Sequence, residues 1–223
     1  MGLASYFDAA SLAIVLGGTL LATLLRCGAG DCRQALSALA HLGRNRFDAD
    51  AARSELAVQI RDIREDGLLR ANPRHFGDSD FDDVTDALIG SRSVPALLAS
   101  HEEHKTRRME AANRAVRTLA QAAELAPVFG LAGTLVSLAR LPVEGLTKGA
   151  YMGSISMAVL TTLYGLLLAN LVLAPLARIV ERAAAVEERE RQKLVDWLAQ
   201  QVSSAINPPG AIARRHRPIS ASA

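Results

Sequence analysis

The stretch GAYMGSISMAVLTTLYGLLLANLVLAPLA, Gly149–Ala177, runs for 29 residues without a charge in a chain that is 22% charged overall. A helix on the surface of a soluble protein shows a charged side chain every turn or two. A run this long is therefore a membrane-spanning helix. At a rise of 1.5 Å per residue it reaches about 43 Å, enough to cross the hydrocarbon layer with tilt and protrude.

Two more runs follow on working toward the N-terminus. A short loop, Leu141–Lys148, holds Pro142, Glu144 and Gly145. Before it, Thr118–Ala139 is apolar apart from Glu124 near its start, carries Pro127, and is closed by Arg140. So short a loop joins antiparallel neighbours, and the two runs should form a hairpin. Ala9–Leu25 is a third run of 17 uncharged residues, near the lower limit for a span. A signal peptide is the competing reading, but no Lys or Arg precedes Ala9 and Arg26 follows at once.

The segment 26–117 is polar. Leu56, Ile60 and Ile63 recur at helical spacing, as do Leu88, Leu97 and Leu98 with their polar neighbours. Gly67, Pro73, Gly77, Gly90 and Pro95 divide it into several short helices, and Pro95–Arg117 should lead straight into the next span. Beyond the third span, Arg178 to Ile206 is dense in Arg and Glu and continues as a helix until Pro208, Pro209 and Gly210. The expectation is an all-α membrane protein with three transmembrane helices, a large helical cytoplasmic loop and a long cytoplasmic C-terminal helix. Its parts are a first transmembrane helix (1–26), the loop (27–117), the hairpin (118–177), the cytoplasmic helix (178–206) and a disordered tail (207–223).

Lys and Arg set the orientation. Segment 26–117 holds 15, segment 178–223 holds 8, the loop 140–148 holds 2 and the first eight residues none. The two rich segments belong on the cytoplasmic side, with the N-terminus and the short loop outside. The net charge of +2 gives no electrostatic case for nucleic acid. The basic tail, Arg214, Arg215 and Arg217, reads as a solvated end or a contact for anionic lipid.

Motifs that imitate chemistry break down on inspection. Asp78, Asp80 and Asp82 resemble the start of a calcium loop, but Asp83 stands where Gly is needed and Ile89 where a bidentate Glu is needed. The better reading is an acidic, solvated loop. His101-Glu102-Glu103-His104 lacks the four-residue histidine spacing of a zinc helix, since Lys105 stands at the second position. Cys27 and Cys32 flank a Gly-rich bend with no second pair. There is no phosphate-cradling loop and no nucleophile elbow, so no enzyme site is expected.

The informative residues lie inside the spans. Ser154, Ala158, Thr161, Thr162, Gly165 and Ala169 fall on one side of the third span. Gly130 and Gly133, beside Thr134, give the second span a similar face. Small residues let membrane helices approach closely, and threonine hydroxyls bond across them. Pro127 and Pro175 each remove a backbone donor at membrane depth, which neighbours or water must make good. These features either pack a bundle or line a hydrated ion path. No acid sits in the middle of any span, so an ion carrier built on this chain would take its carboxylate from a partner.

The run Ala126-Pro127-Val128-Phe129-Gly130-Leu131-Ala132-Gly133-Thr134-Leu135, then Ala158-Val159-Leu160-Thr161-Thr162-Leu163-Tyr164-Gly165, then Ala169-Asn170 and Pro175, resembles the MotA/TolQ/ExbB proton-channel family. It is most similar to the flagellar stator branch, MotA and PomA. Phe7–Thr19 resembles that branch's second transmembrane helix. The resemblance implies a homo-oligomer, a pentamer, around a pair of single-span B-type partners of the MotB/TolR/ExbD kind, each supplying the ion-carrying Asp. It implies a multi-pass protein of the bacterial inner membrane, with no cofactor beyond the transported proton or sodium ion. It places Thr134, Thr161, Thr162, Pro127 and Pro175 along the ion pathway, Glu124 as an acid at its cytoplasmic end, and Arg64 as a contact to the flagellar rotor. Two departures stand out. Asn72 replaces the expected loop glutamate, and the stator branch's first span has no counterpart, which suggests a misassigned start at Met1. An alternative implied role is the TolQ/ExbB one, energising an envelope or outer-membrane transport complex.

Overall fold

The computed structural model describes residues 9–42, 47–66, 79–91, 93–139 and 148–206, and almost all of them are helical. The elements are α1 (Ala9–Leu42), α2 (Ala49–Asp66), α3 (Ser79–Ser91), α4 (Val94–Ala139) and α5 (Lys148–Leu167). A π-helical segment, Leu168–Leu173, then leads without interruption into α6 (Ala174–Ile206). The expected loop residues 141–147, Asn72, the residues before Ala9 and the tail lie outside the described residues.

Three helical stretches are long and apolar enough to cross a membrane: Ala9–Leu42, Val94–Ala139 and Met152–Ser204. The first two contain the runs expected there, and the third holds its run from Met152 onward. The charged stretch from Pro95 does lead into the second of them as one helix. Pro95 stands in the first turn of α4, where its missing N–H removes no helical hydrogen bond.

Local chemistry explains the ends and breaks. Asp48 caps α2, its Oδ1 accepting from the N–H groups of Asp50 (3.1 Å) and Ala51 (3.0 Å). Asp80 and Asp82 stand in the first turn of α3, so that part of the acidic segment is a helix start and not a loop, while Asp78 lies outside the described residues. Carboxylates at that end face the positive pole of the helix dipole. Inside α1, Gly28 has φ 85° and ψ 161° and breaks the helix just past the uncharged run. A side chain disfavours that left-handed backbone, so glycine is the residue that permits the turn. The π-helical segment stands directly before Pro175. The proline ring would clash with the Leu171 carbonyl of a regular helix. The wider coil relieves this, with the Ala174 N–H donating to Ala169 O, five residues back.

The chain divides into two compact units. The first comprises Met1–Asn45 and Met109–Ala184, the second Arg46–Arg108 and Ala185–Ala223. In the first, the membrane stretches are turned inside out relative to a soluble core. The buried positions of α1 are Ser11, Val15, Thr19, Thr23 and Ala35, whereas Leu20, Leu21 and Leu25 are exposed. On α5 Ala158 and Thr161 are buried and Met152 and Val159 are exposed. Small and hydroxyl-bearing faces pack together while branched apolar chains face outward, as expected where lipid replaces water. A conventional apolar cluster, Ala35, Ala115, Leu119, Ala177 and Val180, joins α1, α4 and α6.

The second unit has a core of the soluble kind. Leu56 and Ile60 of α2, Phe81, Val84 and Leu88 of α3, Leu97 of α4, and Leu194, Val195, Leu198 and Val202 of α6 form one buried cluster. Leu98, grouped with Leu97 by spacing, is 41% exposed, because adjacent helical residues point about 100° apart. Phe47 stacks on Phe81 at 5.4 Å between ring centroids, and the Arg191 guanidinium lies 4.3 Å from the Phe47 ring.

Candidate functional site

Helices α4 and α5 cross at two glycines. A Cβ on Gly165 would lie 2.7 Å from Ala126 O, 3.0 Å from Gly130 Cα and 3.2 Å from Pro127 Cα. A Cβ on Gly130 would lie 2.9 Å from Thr161 O. The backbones are in direct contact, and any larger residue at either position would push them apart.

One turn along α4, the closeness brings three hydroxyls together. Thr134 Oγ1 lies 2.5 Å from Thr162 Oγ1 and 3.4 Å from Thr161 Oγ1. It also reaches Gly130 O at 3.1 Å on its own helix and Ala158 O at 3.0 Å across the crossing. Thr161 is fully buried and donates to Ala158 O at 2.9 Å. Thr162 lies 3.4 Å from the same carbonyl. Each hydroxyl has one proton to donate and two lone pairs with which to accept. The half-buried pair Thr134 and Thr162 uses one proton and one lone pair in its mutual bond, and lone pairs remain on both oxygens. Oxygen donors of this kind suit a hard cation, a water or a protonated carboxyl group.

The structure thus brings together Thr134, Thr161 and Thr162, with Pro127 against Gly165 at the same crossing. Pro127 leaves the carbonyl of Ala123 without its usual amide donor. Pro175 does not join them. It stands at the start of α6, beyond the π-helical segment. Glu124 is exposed, about 15 Å before Thr134 along α4. Arg64 lies in α2, in the other unit.

Further contacts and buried polar atoms along the spans were not legible as such in the sequence. Gly18 of α1 receives the Phe129 ring, whose Cδ1 would be 2.2 Å from a Cβ there. Ile14 Cγ2 would lie 3.4 Å from a Cβ on Gly133. Thr19 Oγ1 and Gln121 Oε1 are buried without a hydrogen-bond partner among the described residues. The sequence signals for the α1 contacts are the resemblance over Phe7–Thr19 and the four-residue spacing of Ser11, Val15, Thr19 and Thr23.

Residues 84–193, which include the whole crossing, match the family model described as the MotA/TolQ/ExbB proton channel family. Motility protein A of Cereibacter sphaeroides is 26% identical over 88% of this chain and 78% of that protein. Chemotaxis protein PomA of Vibrio alginolyticus is 25% identical over 86% of this chain and 76% of that protein. An uncharacterised protein, YtxD of Bacillus subtilis, is 28% identical over 93% and 77%. The fold is similar to that in the structure of MotAB from C. jejuni, with TM-score 0.75 and 16% identity over 96% of this chain and 85% of that one. It is similar also to the flagellar MotAB stator complex of Bacillus subtilis, with TM-score 0.73 and 15% identity over the same shares. At these identities the likeness to the solved structures concerns the fold. The α4–α5 crossing thus lies within the segment that is similar to the MotA/TolQ/ExbB proton channel family, and motility relatives align along most of the chain.

Proposed function

We propose that this chain is the A-type subunit of an ion-driven flagellar stator, a multi-pass inner-membrane protein that turns proton or sodium flow into torque. The observation that carries this reading is the Thr134–Thr162 hydroxyl pair, set between two spans that contain no mid-membrane acid. An ion crossing the bilayer needs a charged or strongly polar stepping point. Here the hydroxyls are present and the carboxylate is not, so a single-span B-type partner supplies the Asp that carries the ion. Motility relatives along most of the chain favour the flagellar role over energising an envelope complex.

In this reading five copies surround the partner pair. The polar second unit and the C-terminal end lie in the cytoplasm, following the distribution of Lys and Arg. Thr134, Thr161 and Thr162, with Pro127 and Pro175, border the ion path, and Glu124 stands at its cytoplasmic end. Arg64 of α2 reaches the rotor. Loading an ion on the partner carboxylate changes which hydroxyls it prefers, and that difference in affinity biases the ring toward its next position.

The test is co-expression with a candidate single-span B-type partner, in a host lacking its own stator. Co-purification in detergent together with restored swimming is the expected result. Co-purification without swimming, but with an energised envelope transporter, would assign the other role.

A further inference from the structure

His101 is 3% exposed, on the face of α4 that meets α6. Its Nε2 lies 3.1 Å from Gln192 Oε1, and Gln192 Nε2 donates in turn to Asp196 Oδ1 at 3.0 Å. The same Nε2 is 3.6 Å from Glu188 Oε1. Glu188 is already held by Arg108, whose Nε reaches Oε2 at 3.1 Å and whose Nη2 reaches Oε1 at 3.1 Å. Arg108 also pairs with Asp80 of α3. Asp80 and Asp83 in turn flank His104, each 3.3 Å from one of its ring nitrogens. One buried carboxylate on α6 therefore sits between a cation, Arg108, and a histidine, and the same Arg108 ties α3 into the junction.

We propose that the α3–α4–α6 junction is an acid-operated latch, closed while His101 is neutral and loosened when His101 takes up a proton. An imidazolium at 101 would compete with Arg108 for Glu188. Drawing Glu188 toward His101 weakens the Arg108 bridge that holds α3 through Asp80. The other charges facing His101 along α4, Lys105 and Arg108, are positive, so the added proton meets repulsion as well as the single carboxylate. Burial is the largest influence on this ring and pushes its affinity for a proton below the ordinary histidine value, against the raising effects of Gln192 and Glu188. The sign follows directly. A base with a lowered folded pKa stabilises the fold above its unfolded value, about 6.5, and loses that contribution as pH falls through its folded value. The latch thus opens on acidification. On the functional reading above, that is the side to which a proton-driven stator delivers protons, and only this last step rests on that reading.

Trp197 is the one tryptophan of the chain and packs against the second unit's core on α6, with the Arg53 guanidinium 5.3 Å from its ring. The experiment is to titrate its fluorescence in the detergent-purified chain from about pH 8 to about pH 5. A sigmoidal change with a midpoint below the ordinary histidine value is expected. His101→Gln should abolish it, and His104→Gln should leave it in place. A flat wild-type titration, or an unchanged one in His101→Gln, overturns the latch. Should His101→Gln misfold, the ring-proton NMR titration of His101 in the wild-type chain decides. A midpoint at or above the ordinary value overturns the proposal. Failure of ion flux with this titration intact would sink the stator reading and leave the latch standing.

Discussion

Thr134 Oγ1 and Thr162 Oγ1 lie 2.5 Å apart across the α4–α5 crossing, joined by a hydrogen bond between two membrane helices. A bond of this kind at membrane depth contributes about 0.6 kcal/mol on average. A double-mutant cycle of Thr134→Val and Thr162→Val, read by thermal stability in detergent, should therefore be non-additive by about that amount. Strict additivity would show that the two hydroxyls do not bond.

Gly165 has no room for a methyl group, since a Cβ would sit 2.7 Å from Ala126 O. Gly153, on the same helix, has nothing within 4 Å. Gly165→Ala should cost about 1–3 kcal/mol, as overpacking does, and should reduce the yield of folded complex. Gly153→Ala should leave both unchanged. The comparison is made by size-exclusion chromatography of the two variants.

Gly18 and Phe129 form a second steric pair, between α1 and α4. A Cβ at 18 would meet Phe129 Cδ1 at 2.2 Å and Cγ at 2.7 Å, so the whole ring must move. Gly18→Ala should lower the melting temperature, and adding Phe129→Leu should restore part of the loss. Equal melting of Gly18→Ala and wild type would show that the ring is free to shift.

In the second unit, Arg108 and Arg107 are neighbours with opposite expectations. Arg108 neutralises Glu188, which is 9% exposed. Arg108→Ala leaves that carboxylate buried and unpaired, a loss of about 3 kcal/mol. Arg107 pairs with Glu103 where both side chains are well exposed, so Arg107→Ala should change stability by less than about 1 kcal/mol. Limited proteolysis across urea concentrations separates the two.

The spans were legible because lipid removes charge over long stretches. Ala9–Leu25, Thr118–Ala139 and Gly149–Ala177 needed only counting. Thr134, Thr161, Thr162, Gly130 and Gly165 were legible as a set, since small and hydroxyl residues at spacings of three and four have few uses in a membrane. The break at Gly28 was visible only as a glycine-rich bend, because a single positive φ leaves no periodic mark. The acidic segment at Asp80 reads as a loop in the sequence, because carboxylates at a helix start look like carboxylates that solvate a loop. The Glu188–Arg108–Asp80 network was invisible. Its members are 28 and 80 residues apart, and only the packing of α3, α4 and α6 brings them together.

The most direct test of the ion-path assignment is ion flux into vesicles carrying the complex with its partner, comparing wild type, Thr162→Ser and Thr162→Val. The hydroxyl account predicts near-normal flux with Ser and at least a tenfold loss with Val, at equal amounts of assembled complex. Equal flux in all three would contradict it and leave the threonines as packing alone.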